Sequence, residues 1–417
     1  GLSVTPNQFI YVMLSALIAA AFWLLFATKK GLPVSTTHAI IGGVVGSSIV
    51  LGISLGGTEM ALSTVNWGTI GTIAISWVIS PLLGGVFSYL LYGQIKKNII
   101  EYNDRTEAHI ATLKGDKKTL KQNHKEYLDG LTESEQLAYT SAMLRDQEIY
   151  KDDDCDVEDL ETDYYKQLYE IENERSNLDT LKALKQWVPI IAAAGGAVMA
   201  SLVIFKGLKN VNNGMTTLQG FLIMGMIAAL VWLATYIYTK SIRGKHKEDL
   251  TKATFIMFSW MQVFTASAFA FSHGSNDIAN AVGPFAAIMD VIRTNSIATE
   301  AAVPPAVMLT FGVALIVGLW FIGKEVIQTV GTNLAKMHPA SGFSAELAAA
   351  AVVMGASTMG LPVSSTHTLV GAVLGIGIVN RDTNWALMKP IGLAWIITLP
   401  AAASMSAISY IFLSNIF

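Results

Sequence analysis

Residues 31–46 read GLPVSTTHAIIGGVVG and residues 360–375 read GLPVSSTHTLVGAVLG, two sixteen-residue copies with ten identities. Each copy interrupts an apolar region with Gly-Leu-Pro, presents three consecutive hydroxyl residues and a histidine, and resumes as an apolar run. Proline and glycine end one helix, and Ser or Thr placed after them begins the next. The duplicated text therefore predicts two helix breaks of one design, each followed by an apolar helix.

Composition says where those helices sit. Of the 59 charged residues, 22 acidic and 14 basic ones fall between Gln94 and Gln186, which leaves 23 for the other 324 positions. The remainder reads as apolar segments over 9–28, 33–52, 67–92, 187–205, 221–239, 255–289, 303–322, 347–359, 362–379 and 391–417. Most are near the roughly 20 residues that cross about 30 Å of hydrocarbon. Soluble cores do not run apolar for so long without interruption, so the expected fold is an all-α polytopic membrane protein with one soluble insert. The segment 255–289 is too long for one span and is punctured by Ser272-His273-Gly274-Ser275-Asn276-Asp277, which predicts a discontinuous or re-entrant helix there. Cys155 is the only cysteine, so an intrachain disulfide is excluded.

Lys240, Arg243, Lys245, Lys247 and Lys252 share one connection, whereas residues 53–66 contain no Lys or Arg. The positive-inside rule places the first in the cytoplasm. Alternation then brings Lys29 and Lys30, the insert, Lys324, Lys336, Arg381 and Lys389 to the same side. The two copies of the motif run in opposite directions on this topology, which predicts an inverted repeat, an architecture of secondary transporters. The duplication extends further: Asn66-Trp67 is followed by Trp77 and Pro81, and Asn384-Trp385 by Trp395 and Pro400. The expected organisation is the C-terminal part of a first membrane repeat over 1–93, a cytoplasmic insert over 94–186, and a membrane region with the second repeat over 187–417. Asn276 lies 91 residues before His367, and the same distance before His38 falls ahead of Gly1, so the sequence is expected to open part-way through its first repeat. The insert, with its acidic knot at Asp152, Asp153, Asp154, Asp156, Glu158 and Asp159, is expected to be a solvated helical hairpin or loop.

Asp277 stands out as an acid deep inside an apolar segment, whereas Asp290, Glu325 and Glu346 read as lying near segment ends. A carboxylate in hydrocarbon costs about 2.5 to 3.5 kcal/mol on insertion scales, so a cation or an exchangeable proton is its expected partner. On a helix beginning here Asp277 and Asn280 share a face, and Asn276 falls at the break where backbone carbonyls are available. Oxygen ligands of this kind suit a hard cation such as sodium, with Asp277 and Asn276 as its expected holders. Ser35, Thr36 and Thr37, and likewise Ser364, Ser365 and Thr366, sit at predicted helix N-termini. Unpaired N–H groups, a partial positive charge and hydroxyl donors there make an anion site that needs no cationic side chain. His38 and His367, each directly after a Thr, and His273 are expected to stand behind these groups and orient the hydroxyls; they lie on separate segments with no cysteine beside them, so they do not read as a metal centre.

The strings GLPVSTTH and GLPVSSTH, together with HGSNDIANAVGP over 273–284, resemble the signature elements of the inorganic phosphate transporter (PiT) family, which includes sodium- and proton-coupled phosphate symporters and some sulfate permeases. The resemblance covers most of the membrane region. It implies a homodimer of inverted-repeat subunits in the plasma (inner) membrane. Phosphate would lie at the midplane against Ser35, Thr36, Thr37, Asp277, Asn280, Ser364, Ser365 and Thr366. Sodium, the co-substrate and not a resident cofactor, would lie beside it against Asn276, Asp277, Asn280, Thr37 and Thr366. The first Asn-Asp motif of the family has no counterpart in these residues.

The activity expected is import of inorganic phosphate coupled to a cation, sodium before proton, without enzymatic chemistry. Sulfate is the nearest rival substrate, because tetrahedral coordination by hydroxyls suits both anions. A protonated phosphate can donate a hydrogen bond to a nearby carboxylate and sulfate cannot. An anion channel would not need the buried acid. An intramembrane hydrolase with Ser35 or Ser364 as nucleophile would need one asymmetric site in place of a duplicated one.

Overall fold

The computed structural model describes residues 4–152, 155–207, 215–242, 249–298, 301–359 and 363–417, with the backbone alone at Ser272, Ser275, Asn276, Ser357 and Thr358. Every regular element among them is a helix: α1 Pro6–Lys29, α2 Thr36–Ser63, α3 Trp67–Ile95, α4 Glu101–Asp129, α5 Glu133–Ile149, α6 Asp163–Asn177, α7 Lys182–Ser201, α8 Thr217–Ser241, α9 Leu250–Thr294, α10 Pro305–Ile322, α11 Lys324–Gln328, α12 Pro339–Thr358, α13 Ser365–Asn380 and α14 Trp385–Ile416. Nine helices among the described residues are long and apolar enough to cross a membrane, and α13 is a shorter apolar helix. The chain divides into two compact units, one of Gly1–Gln94, Ala192–Val231 and Met257–Phe417, the other of Ile95–Ile191 and Trp232–Ile256. The second unit thus extends beyond the charged insert into the ends of α7, α8 and α9.

In the first unit, α1 begins with a capping box: the Gln8 N–H donates to Thr5 Oγ1 at 3.3 Å, and the Thr5 N–H to Gln8 Oε1 at 3.0 Å. It ends at Gly31, whose φ of +69° is a left-handed conformation that glycine adopts without a steric penalty. α1, α2 and α14 pack together through small side chains, with Ala20, Ala39 and Ala402 in one cluster and Ala27, Val34 and Ala394 in another. Close backbone approach of this kind is how helices associate where lipid supplies no hydrophobic drive. α2 continues to Ser63, past the expected end of its span, but kinks at Gly56 and Gly57.

The two motif helices pack reciprocally. A Cβ added at Gly42 would lie 2.6 Å from the Leu399 carbonyl oxygen, and one at Gly46 2.0 Å from that of Ala403, both on α14. A Cβ at Gly371 would lie 2.1 Å from the Pro81 carbonyl oxygen, and one at Gly375 2.2 Å from that of Gly85, both on α3. Gly371 and Gly375 are the positions of the second motif that match Gly42 and Gly46 of the first. Pro81 and Gly85 stand to Leu399 and Ala403 at the 318-residue offset that relates Trp77 to Trp395. The helices carrying those tryptophans also start alike, with Asn66 Oδ1 accepting the Thr69 N–H and Asn384 Oδ1 the Leu387 N–H, each at 3.1 Å.

The helix break expected within residues 255–289 is not found. α9 runs unbroken from Leu250 to Thr294, through Ser272–Asp277, where the polar run suggests a break. A helix satisfies its own backbone groups in hydrocarbon, and the sole strong opponent in the run, Gly274, costs only about 1 kcal/mol. The backbone carbonyls expected at Asn276 are therefore occupied within the helix, and the Asn276 side chain lies outside the described residues.

In the second unit the insert folds as three helices, α4 to α6, joined by turns. Asp146 is fully buried and accepts the N–H of Glu161 at 2.8 Å, the N–H of Thr162 at 2.7 Å and the Thr162 hydroxyl. Burial alone would raise its carboxyl pKa, but these donors outweigh it and hold the group below the ordinary carboxylate range. A carboxylate with a depressed folded pKa adds stability that is complete above its unfolded value, about 3.9, and is lost as the pH falls through the folded one. Asp146→Asn is expected to loosen the α5–α6 junction by about 1–3 kcal/mol at neutral pH. Its opening should then lose the steep acid dependence below about pH 4 that is expected of the parent. Amide hydrogen exchange at Glu161 and Thr162 across pH reads both effects; equal protection in parent and variant would refute them.

Candidate functional site

α2 and α13 begin in one way. Ser35 and Ser364 each adopt an extended backbone, and their hydroxyl oxygens accept the N–H of His38 at 3.4 Å and of His367 at 3.3 Å. The Ser35 and Ser364 hydroxyl oxygens thus act as N-caps, both side chains being buried. Thr36 and Thr37 occupy the first turn of α2, and Ser365 and Thr366 that of α13, where the N–H groups have no acceptor within the helix. Gly360, Leu361 and Pro362 lie outside the described residues.

A single face of α9 meets both helix starts. His273, Asp277 and Asn280 stand at i, i+4 and i+7, one stripe of a helix. The Asn280 side-chain N–H₂ donates to Thr36 Oγ1 at 3.1 Å and to Thr37 Oγ1 at 3.0 Å. His273 Nδ1 lies 2.5 Å from Ser365 Oγ, and its Nε2 lies 3.1 Å from Asp277 Oδ2. The Asp277 side chain is 16% exposed, between the residue that reaches the first triplet and the residue that reaches the second. Thr366, partly buried, follows Ser365 on α13. The arrangement joins two helix N-termini, each worth about half a positive charge, to hydroxyls and a single carboxylate. Among the described residues no group of three His, Cys, Asp or Glu side chains could hold a metal ion.

A family model described as the phosphate transporter family matches residues 1–406. The chain belongs to that family. Within the phosphate transporter family, a Mycobacterium bovis protein named "Putative phosphate permease" is 56% identical over 417 residues, covering all of this chain and 75% of that protein. A Pyrococcus furiosus protein of the same designation is 29% identical over 409 residues, covering 97% of this chain and 77% of its own length. Among solved structures, one titled "The sodium-dependent phosphate transporter" superposes with a TM-score of 0.69 at 27% identity, covering all of this chain and 82% of that one.

Two features of this phosphate transporter family member escape the sequence reading. Glu346 reads as a segment-end acid, yet α12 starts at Pro339, so it lies two turns inside a buried helix, where Thr265 Oγ1 of α9 donates to its Oε2 at 2.7 Å. Its neighbours Ser341, Phe343, Ser344 and Ala345 are all buried. The second concerns the histidines. The His273 ring reaches Ser365 Oγ, and the His38 and His367 rings lie against Trp77, Trp395 and each other.

Proposed function

We propose that this chain imports inorganic phosphate across the plasma membrane in symport with a cation, sodium before proton, with the insert on the cytoplasmic side. The observation that carries the reading is the α9 stripe: one helix contacts both hydroxyl triplets and holds a carboxylate between them. Thr36, Thr37, Ser365 and Thr366, with the N–H groups of their helix turns, donate to phosphate oxygens. Ser35 and Ser364 shape the two turns as caps and complete the phosphate shell. Asn280 keeps the first pair of hydroxyls in register, and its carbonyl oxygen serves the cation together with Asp277, Thr37 and Thr366. His38, His273 and His367 support these groups from behind.

The coupling logic is electrostatic. An ionised Asp277 repels a phosphate dianion at short range, and in a site of low dielectric that repulsion is strong. A cation on Asp277 cancels it and leaves the two helix N-termini dominant, so the anion binds after, or with, the cation. Loss of either ligand then disfavours the loaded state and couples the two fluxes. A protonated phosphate oxygen can also donate to the carboxylate, which favours phosphate over sulfate. The glycine contacts at matched positions of α2 with α14 and of α13 with α3 support two repeats related by a pseudo-two-fold axis, the inverted-repeat arrangement in which one half moves against the other. A homodimer is part of the same reading.

Uptake of phosphate into proteoliposomes of purified protein, driven by a sodium gradient, a proton gradient or neither, tests the proposal. Accumulation with sodium alone, not suppressed by equimolar sulfate, is the expected result. Phosphate entry that stops at equilibration and is indifferent to both ion gradients would indicate a channel, and suppression by sulfate would reassign the substrate.

A further inference from the structure

Four aromatic rings make one continuous contact between the two hydroxyl triplets. His38, the residue after Thr37, has its ring centroid 4.0 Å from that of Trp77. His367, the residue after Thr366, stacks on Trp395 at 4.0 Å. The two imidazoles meet each other at 4.7 Å with an interplanar angle of 81°, an edge-to-face contact. Both are sealed from solvent, at 2% and 0% exposure. Nδ1 of His38 and both ring nitrogens of His367 are buried with no hydrogen-bond partner among the described residues. Buried imidazoles are ordinarily fixed by hydrogen bonds; these two are held by ring packing.

The same two residues are tied to the site by their backbones. The N–H of His38 is the one capped by Ser35, and the N–H of His367 is the one capped by Ser364. A displacement of either ring therefore shifts the first turn that carries Thr36 and Thr37, or Ser365 and Thr366. Trp395 braces this geometry further, since its Nε1–H donates to the Pro33 carbonyl at 2.8 Å, just ahead of the first triplet.

We propose that His38 and His367 are positioning residues whose edge-to-face contact, braced by Trp77 and Trp395, sets the distance between the two triplets so that one tetrahedral anion reaches both. The inference rests on the reading of the triplets as the phosphate site. Neither ring touches the substrate; each acts through the helix start it anchors. Because the device is one contact made by two residues, losing either partner removes all of it.

Kinetics of phosphate uptake in proteoliposomes test this. His38→Ala and His367→Ala are each expected to raise KM about tenfold with kcat within about twofold, the pattern of misplaced binding groups. The double variant should be no worse than the weaker single, since interacting residues are non-additive. His38→Phe and His367→Phe keep a flat ring of similar size and should bring KM back to within about threefold of the parent. Should the Ala variants fail to fold, His38→Gln and His367→Gln keep volume without the ring, and the same rise in KM is expected of them. Unchanged KM in these variants, strictly additive losses, or Phe variants as impaired as the Ala ones would each overturn the proposal, the last by moving the role to the ring nitrogens. A parent protein that accumulates no phosphate under any gradient would instead remove the functional reading beneath it.

Discussion

Asp277→Asn is expected to lower cation-driven phosphate uptake by about a hundredfold or more while leaving the protein folded. The substitution keeps the size of the side chain and an oxygen that can face His273, which now lies 3.1 Å from Asp277 Oδ2. What it removes is the negative charge that a cation would neutralise. Placing a carboxylate in the membrane costs about 2.5 to 3.5 kcal/mol on insertion scales, which sets the scale of what a neutralising cation can return. At 1.36 kcal/mol per factor of ten, that is roughly two orders of magnitude in coupling. Because the variant no longer carries that cost, its thermal stability should equal or exceed that of the parent. Uptake and Tm measured together separate the two effects. Parent-like sodium-driven uptake by Asp277→Asn would remove Asp277 from the cation site; a collapse of Tm would make it a structural residue.

The starts of α2 and α13 were legible because capping is local chemistry: Ser35 and Ser364 each accept an N–H three residues on, at 3.4 and 3.3 Å. Asp277 and Asn280 were legible for a similar reason, since a spacing of three puts them on one face of any helix. The continuity of α9 was not legible, because polar residues signal a break only when they also deprive the backbone of its partners, and Ser, His, Asn and Asp do not. Glu346 was misplaced by hydropathy, which starts the apolar run at Leu347 while the helix starts at Pro339. The contact between His38 and His367 joins residues more than 300 positions apart. It depends on how four helices pack, and no periodicity within either motif encodes it.

The largest effects on stability are expected at the reciprocal glycines. Gly46→Ala would set a Cβ 2.0 Å from the Ala403 carbonyl oxygen, and Gly371→Ala one 2.1 Å from that of Pro81. A backbone carbonyl cannot rotate away as a side chain can, so the whole helix must retreat, and with it the contacts of α2 with α14 or of α13 with α3. Overpacking of side chains costs about 1–3 kcal/mol; displacement of a packed backbone should exceed that and lower Tm by about 5 °C or more. Gly225 and Gly312, where an added Cβ would meet nothing within 4 Å, serve as controls. Alanine there should be neutral or stabilising by about 0.4–1 kcal/mol, since it reduces the freedom of the unfolded chain. The matched pairs carry the sharper test. If the two helix pairs are equivalent, Gly42→Ala and Gly371→Ala should shift Tm together, as should Gly46→Ala and Gly375→Ala, because the clearances are set by corresponding backbone atoms. A loss at one member of a pair and tolerance at the other would mean that the two interfaces are not related by the duplication, whatever the likeness of their sequences.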